Sequence, residues 1–368
     1  MRVLHVNKFG WGKGGSEIYL RRVTDALGSR GIAVGVFAGA PVEPAAGIAQ
    51  YPVPIPDFHA TRGVAGQAKA AAHVLWSRAM AAALAESLDD FQPDVVHLHL
   101  YAHQLSPSIV SLLQQRRVRT VMTAHDFKLV CPAYLAVRRG HDCFKCARHL
   151  SPVAARDRCL HDSLSWTVTA LAEAALVRTR KLVADTVIAP STFMLDALNG
   201  SWLRGVARLE LLRNPAEPSG SVWHGDGRYL LYVGRLSPEK GVHGLIGQAH
   251  RAGRRLVIAG TGPEAESLEA HAAGLGADVT LVGHVGDARL AELRMGAAAQ
   301  VVPSSWPENA PLAALEAAVD GVPLLVADRG GLREIIALGA RGAVLADDNE
   351  QAFTAALAEL ADPAPPRD

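Results

Sequence analysis

Four segments carry side chains whose types and spacing suit the binding of phosphates and polyols. Gly234-Arg235-Leu236-Ser237-Pro238-Glu239-Lys240-Gly241 follows the apolar run Tyr229–Val233. Ser237 as N-cap and Pro238 in the first turn predict a helix start bracketed by Arg235 and Lys240. Two cations and a helix dipole can hold a diphosphate, whereas two solvated surface charges are the plainer alternative. Ser304 to Pro311 follows Gln300–Pro303 and leads into the helix Leu312–Ala318. Pro311 at the first helical position leaves Glu308 in the loop and Glu316 in the second turn, leaning toward the helix N-terminus. Carboxylates so placed suit a pair of vicinal hydroxyls, as on a ribose or hexose. The loop Lys8 to Glu17, rich in glycine up to Gly14 and Gly15, enters a helix starting near Ser16 or Glu17 and offers open N–H groups to a phosphate or sugar hydroxyl. It lacks the G-x-G-x-x-G spacing of dinucleotide enzymes. His125, after Arg119–Ala124, could bond a sugar with Asp126 orienting its ring, or be a satisfied core histidine.

Two further groups could hold a metal. His97-x-His99 places two imidazoles on one strand face, yet no acidic set completes a catalytic shell, so lining or packing is the better reading. The four cysteines fall together as Cys131-x11-Cys143-x2-Cys146-x12-Cys159. The central C-x-x-C is the usual spacing of tetrahedral zinc ligands, and a structural zinc stapling an insertion is weighed against redox-active or buried free thiols.

These loops must hang from buried parallel strands, because short Val/Leu/Ile runs recur between helical stretches. Arg2–Asn7, Ala33–Ala38, Asp94–Leu100, Arg119–Ala124, Thr186–Pro190 and Leu209–Arg213 form one series. Tyr229–Val233, Arg255–Ala259, Val279–Val282, Gln300–Pro303, Pro323–Ala327 and Ala343–Ala346 form another. Two Rossmann-like α/β domains in tandem follow, 1–213 and 228–368, joined by the Pro- and Gly-rich linker 214–227. Ala65–Asp89 predicts one long covering helix, and Pro363–Asp368 a frayed tail. At 368 residues two cores are expected. Hydrophobic residues make up 49% and charged ones 20%, the balance of a globular enzyme. Lys plus Arg (37) nearly cancels Asp plus Glu (36), so no global field favours nucleic acid. The N-terminus lacks a signal-peptide pattern and no apolar run spans a bilayer, which predicts a cytoplasmic protein. The segment Leu164–Val183, with Arg178, Arg180 and Lys181, reads as an ordinary helix, with peripheral contact at the inner membrane face as the alternative.

In this order, Gly14-Gly15-x-Glu17, Thr123-Ala124-His125-Asp126, Gly234-Arg235-Leu236-x-Pro238-Glu239-Lys240-Gly241, Val302-Pro303-Ser304, Glu308 with Glu316, and Gly330-Gly331-x-x-Glu334 resemble family 4 of the retaining glycosyltransferases. The resemblance implies the GT-B fold, two domains facing across a cleft, with acceptor bound by the first and nucleotide-sugar by the second. It implies that Arg235 and Lys240 bind the donor diphosphate, Glu316 the ribose and Glu308 the transferred sugar. Gly14 and Gly15 would approach phosphates or acceptor, His125 the donor sugar, and Gly283-His284-Val285 the nucleobase, with Asn309, Ala310 and Leu312 lining the donor site. The implied activity is retaining hexosyl transfer, UDP-sugar first, to a glycan, glycolipid or small-metabolite hydroxyl. No catalytic cofactor or divalent ion is implied, and no Asp-x-Asp stands at a strand end to hold one. A GT-B-like sugar-nucleotide epimerase and a silent glycan-binding scaffold are the alternatives. Two features depart from the pattern. Pro311 stands where Gly is common, removing an N–H donor, and the chain stops about one helix after Ala346, short of the usual crossing helix.

Overall fold

A computed structural model describes all residues except 11, 13, 41–45, 59–62, 222, 225–226, 346–351 and 357–368. Trp11 and Lys13 of the glycine loop, the end of the strand expected to reach Ala346, and the tail Pro363–Asp368 lie outside the described residues. The chain forms two compact units, Met1–Arg213 and Asn214–Asp368.

In the first unit the elements run β1 (Arg2–Asn7), α1 (Gly15–Gly28), β2 (Ala33–Gly39), β3 (Ala49–Val53), α2 (Gly63–Leu75), α3 (Arg78–Phe91), β4 (Val95–Leu98), α4 (Ser108–Gln115) and β5 (Arg119–Thr123). Then come β6 (Val137–Arg138), β7 (His141–Asp142), α5 (Val153–Arg156), α6 (Leu164–Thr179), β8 (Thr186–Ala189), α7 (Thr192–Asn199) and β9 (Arg208–Leu211). Seven strands form one sheet in the order β3-β2-β1-β4-β5-β8-β9, all pairs parallel. Helices cover it because both faces are apolar: Leu4, Val6, Val96, Leu98, Met122 and Val187 are all buried. Strand β3 escaped the sequence reading since Pro52 and only partial burial disguise an edge strand. The single helix expected over Ala65–Asp89 is two. Ser77 takes extended backbone, accepts a hydrogen bond from the Met80 N–H and starts α3, so an N-cap inside a helical composition ends one helix and begins another.

The second unit runs β10 (Tyr229–Val233), α8 (Val242–Arg251), β11 (Leu256–Ala259), α9 (Ala265–Leu275), β12 (Val279–Gly283), α10 (Asp287–Met295), β13 (Ala297–Val302), α11 (Leu312–Val319), β14 (Leu324–Ala327), α12 (Leu332–Ala337) and β15 (Gly342–Leu345). Its six parallel strands are ordered β12-β11-β10-β13-β14-β15, the doubly wound arrangement. Leu230, Tyr232, Ile258, Val301 and Leu325 fill its core. Within the segment read as a linker, Ser219 N–H donates to Asp320 Oδ1 at 2.7 Å and Trp223 Nε1 to the Ala297 carbonyl at 2.7 Å. No helix among the described residues is long and apolar enough to cross a membrane. In α6, Thr167, Ala170, Glu173 and Val177 are buried while Leu164 and Val168 are exposed.

Candidate functional site

The second unit's strand order reverses between β10 and β13, and the loops leaving those two strands carry Lys240 and Glu308. Open α/β sheets bind ligands at such a reversal, beyond the carboxyl ends of the strands. Lys240 Nζ lies 2.6 Å from Glu308 Oε1. The same oxygen accepts from Ser304 Oγ at 2.5 Å and from Trp306 Nε1 at 3.0 Å, and Lys240 stands 4.9 Å above the Trp306 ring. Burial pushes the Glu308 carboxyl up, but Lys240 and these donors outweigh it and hold the group below its ordinary range. Glu308 is therefore an anion at neutral pH. Its backbone is pinned as well, with its carbonyl accepting from Gly331 N–H at 2.7 Å.

Arg235 is well exposed and its Nη2 donates to Glu239 Oε1 at 2.8 Å, an oxygen that also accepts from Ser237 Oγ at 2.7 Å. Ser237 stands at the N-cap with Pro238 in the first turn, as expected, but its hydroxyl makes no capping hydrogen bond. Pro238–Lys240 makes a single 3-10 turn, α8 begins only at Val242, and the serine hydroxyl is spent on Glu239. Gly241 makes the break at φ 71°, and a Cβ there would stand 2.2 Å from the Pro303 carbonyl oxygen. Gly241→Ala is accordingly expected to destabilise the second unit by about 1–3 kcal/mol and to displace the neighbouring Lys240. Denaturant unfolding followed by far-UV circular dichroism checks this; an unchanged midpoint would show that the turn tolerates a side chain.

Glu316 is buried in α11 and paired with Arg294 from the last turn of α10, which also reaches Asp320 at 3.7 Å. Sequence reasoning missed Arg294, a lone arginine between Leu293 and Met295 whose partners arrive from another helix. Pro311 is the N-cap of α11 and not its first helical residue. Leu312 and Asn309 are buried, and the Ala310 carbonyl accepts from Asn214 Nδ2 at 2.9 Å. Gly283 closes β12 at φ 69°, His284 is exposed and Val285 packs beside Leu231 and Val257.

In the first unit the order reverses between β1 and β4, and parallel register sets His5 beside His97 there. His99 follows on the same edge, with His125 beyond β5. His5 Nδ1 and His99 Nε2 are 3.0 Å apart, as are His99 Nδ1 and His125 Nε2. His97 Nε2 meets Thr123 Oγ1 at 2.8 Å. Burial lowers all four rings, His97 to about 4 and His125 to about 3, helped in His5, His99 and His125 by the proximity of His97. All are neutral at neutral pH. What meets His125 is thus His99, not Asp126 as expected; Asp126 Oδ1 accepts from the Lys128 N–H at 2.9 Å. His5 went unread in the sequence because its neighbours arrive from a strand 92 positions away. Helix α1 starts at Gly15, slightly earlier than expected, with no side-chain cap on Gly14. Glu17 is buried and Oε1 accepts from Asn7 Nδ2 at 2.8 Å and from Ser16 Oγ at 3.0 Å. The cysteines are all free thiols in the insertion between β5 and α6.

Comparison with known proteins fits this geometry. Residues 13–219 match the model of Glycosyltransferase Family 4, and residues 215–367 that of Glycosyl transferases group 1. The chain is 32% identical over 289 residues to a glycogen synthase of Mycobacterium tuberculosis, covering 74% of this chain and 61% of that protein. It is 27% identical to a GDP-mannose-dependent alpha-mannosyltransferase of Corynebacterium glutamicum, covering 70% and 56% of the two chains. It thus matches under two thirds of the length of these relatives. Among solved structures, Anabaena HepE in complex with UDP-glucose superposes with a TM-score of 0.62 at 18% identity, covering 98% of this chain and 89% of that one. On its family models, its relatives and the fold of both units, the chain belongs to the family 4 glycosyltransferases of GT-B fold.

Proposed function

We propose that the chain moves a hexosyl group from a nucleotide-diphosphate sugar to a hydroxyl of a glycan, glycolipid or small metabolite, with retention of anomeric configuration and without a divalent ion. The observation that carries this reading is the Lys240–Glu308 pair at the strand-order reversal of the second unit. In glycosyl transfer, charge builds on the diphosphate as the anomeric C–O bond breaks. A cation already held in place stabilises that charge without reorganising. Lys240 is such a cation, anchored by a buried carboxylate, and Arg235 on the same loop is exposed enough to swing from Glu239 to a phosphate. Retention requires the acceptor oxygen to attack from the face that the diphosphate vacates. Glu308 would bind hydroxyls of the sugar being moved. Glu316, turned to Arg294, would take the ribose. In the first unit His125, neutral, offers a hydrogen bond to a substrate hydroxyl and no charge.

A uridine nucleotide is favoured by the UDP-glucose bound to HepE, and a guanosine nucleotide is the second reading because the mannosyltransferase relatives are named for GDP-mannose. A thermal-shift titration with UDP, GDP, ADP and TDP, in the presence of a chelator, separates them. One nucleotide class is expected to raise Tm by the amount that RT ln(1 + [L]/Kd) dictates. A chain that responds to none of them behaves as a silent scaffold. Conversion of the sugar nucleotide without transfer to any acceptor would indicate an epimerase.

A further inference from the structure

The four cysteines take no part in the donor chemistry, yet the fold gathers them. The β6–β7 hairpin lies between Cys131 and Cys143, held by the Cys143 N–H donating to the Ala136 carbonyl at 2.7 Å. On either side is a tight turn: Tyr134 N–H donates to the Cys131 carbonyl at 2.9 Å, and Ala147 N–H to that of Phe144 at 3.0 Å. Cys131 and Cys159, 28 positions apart, pack against the same small cluster of Ala133, Leu160 and Ala170. Cys146 is close enough to both to perturb them electrostatically, and Cys143 likewise perturbs Cys159. Burial, with Asp157 and neighbouring cysteines adding to it at Cys159, pushes the Cys131 and Cys159 thiols up, so both carry their protons until a cation displaces them. Backbone N–H groups of Ala133 and Ala136 point at the Cys131 sulfur, although burial outweighs them and pushes that thiol to about 11 without a cation. Arg178 faces Cys131 and Cys146, and its Nη1 is buried with no hydrogen-bond partner among the described residues. Arg138, anchored by Asp157, faces Cys143 and Cys159.

We propose that Cys131, Cys143, Cys146 and Cys159 bind one Zn²⁺ as a tetrathiolate that staples the insertion between β5 and α6. Two tight turns joined by a short hairpin, a C-x-x-C on one of them and N–H groups aimed at sulfur are the features of a four-sulfur tetrahedral site. Four thiolates and one divalent ion leave a charge of −2, of which Arg178 offsets one unit, while Arg138 shares its charge between the site and Asp157. No three of the four sulfurs lie within 4.8 Å of one another, so the insertion must tighten around the ion. Among the described residues, the group of three potential ligands whose atoms lie within 4.8 Å of one another is His5, His97 and His99. That trio is the weaker ligand set. His5 Nδ1 is bonded to His99 and His97 Nε2 to Thr123, leaving His5 Nε2 buried without a hydrogen-bond partner, and among the described residues no carboxylate is bonded to the trio to neutralise a dication in the core. At the cysteines, zinc binding would release the thiol protons and draw the sulfurs to about 2.3 Å from the ion.

The test uses the whole chain, purified without a polyhistidine tag or chelator, and reads metal by inductively coupled plasma mass spectrometry. About one zinc per chain is expected. It should fall to a background level in C143S/C146S and be unchanged in His97→Gln. Because the cysteine variant could fail to fold, wild type grown with Co²⁺ gives the second reading: the intense visible bands and sulfur-to-metal charge transfer of tetrahedral thiolate ligation. Zinc retained in C143S/C146S but lost in His97→Gln would overturn the assignment in favour of the histidines. Four thiols reacting freely with a disulfide reagent in native, metal-free protein would overturn it altogether, as would stoichiometric iron in place of zinc.

Discussion

Lys240→Ala is expected to reduce kcat/KM for sugar transfer by about 10²–10³-fold, the usual cost of deleting one preorganised group that stabilises transition-state charge. Two effects add in this variant. The departing diphosphate loses a cation, and Glu308 is left buried with Ser304 and Trp306 as its side-chain donors among the described residues. An uncompensated buried carboxylate costs about 3–5 kcal/mol, part of which the group recovers by taking up a proton. The nucleotide response in thermal shift should therefore vanish together with a drop in the resting Tm. Glu308→Gln in the same background separates the two contributions. It removes the orphaned charge, so the double variant should regain resting stability without regaining turnover. If Lys240→Ala transferred sugar at the wild-type rate, the donor diphosphate would have to be bound elsewhere. Lys240→Arg retains the charge but not the compact ammonium over the Trp306 ring, and intermediate activity is expected of it.

Acidification should destabilise the first unit well above the range in which carboxylates titrate. His5, His97, His99 and His125 all have folded values below their unfolded value near 6.5. Between the two values the unfolded chain binds more protons than the folded one, so stability falls as pH falls, beginning near pH 6.5. For His97, whose folded value is about 4, the full loss by pH 4 is on the order of 3 kcal/mol at 1.36 kcal/mol per unit. The other three are coupled to it through hydrogen bonds or charge proximity, so they do not add as independent terms. Urea unfolding at pH 7.5, 6.0 and 5.0 checks this. His97→Gln can keep the bond to Thr123 without a titrating group, and its stability should depend less steeply on pH in that window. A wild-type midpoint constant between pH 7.5 and 5.0 would mean that these rings are hydrated and not desolvated. Glu308 acts in the same direction but lower, since its depressed value places its loss below the ordinary carboxylate pKa.

Much of this was legible in the sequence because it is local. Buried parallel strands read as continuous apolar runs, and β1 and β10 fall on the expected residues Arg2–Asn7 and Tyr229–Val233. The loops after β10 and β13 announced themselves through charge next to glycine and proline, and the combination of motifs carried the family. The edge strand β3 and the break at Ser77 were lost to competing local signals: a proline in a strand, and a helical composition around one capping serine.

Partners were not legible. Lys240 and Glu308, Arg294 and Glu316, and His5, His99 and His125 are each separated by 20 or more positions. Which of them meet depends on strand order and register, and these are set by how the apolar faces of sheet and helices pack. By itself the sequence determined the two-domain α/β class, the family and the residue types available for chemistry, since periodicity and motif spacing are written along the chain. Only the tertiary structure decided that Glu308 is held as an anion by Lys240, that Arg294 answers Glu316, and that His125 rests on a neutral chain of imidazoles. Charge state and hydrogen-bond partner are properties of burial and distance, and neither exists until the sheet has closed around them.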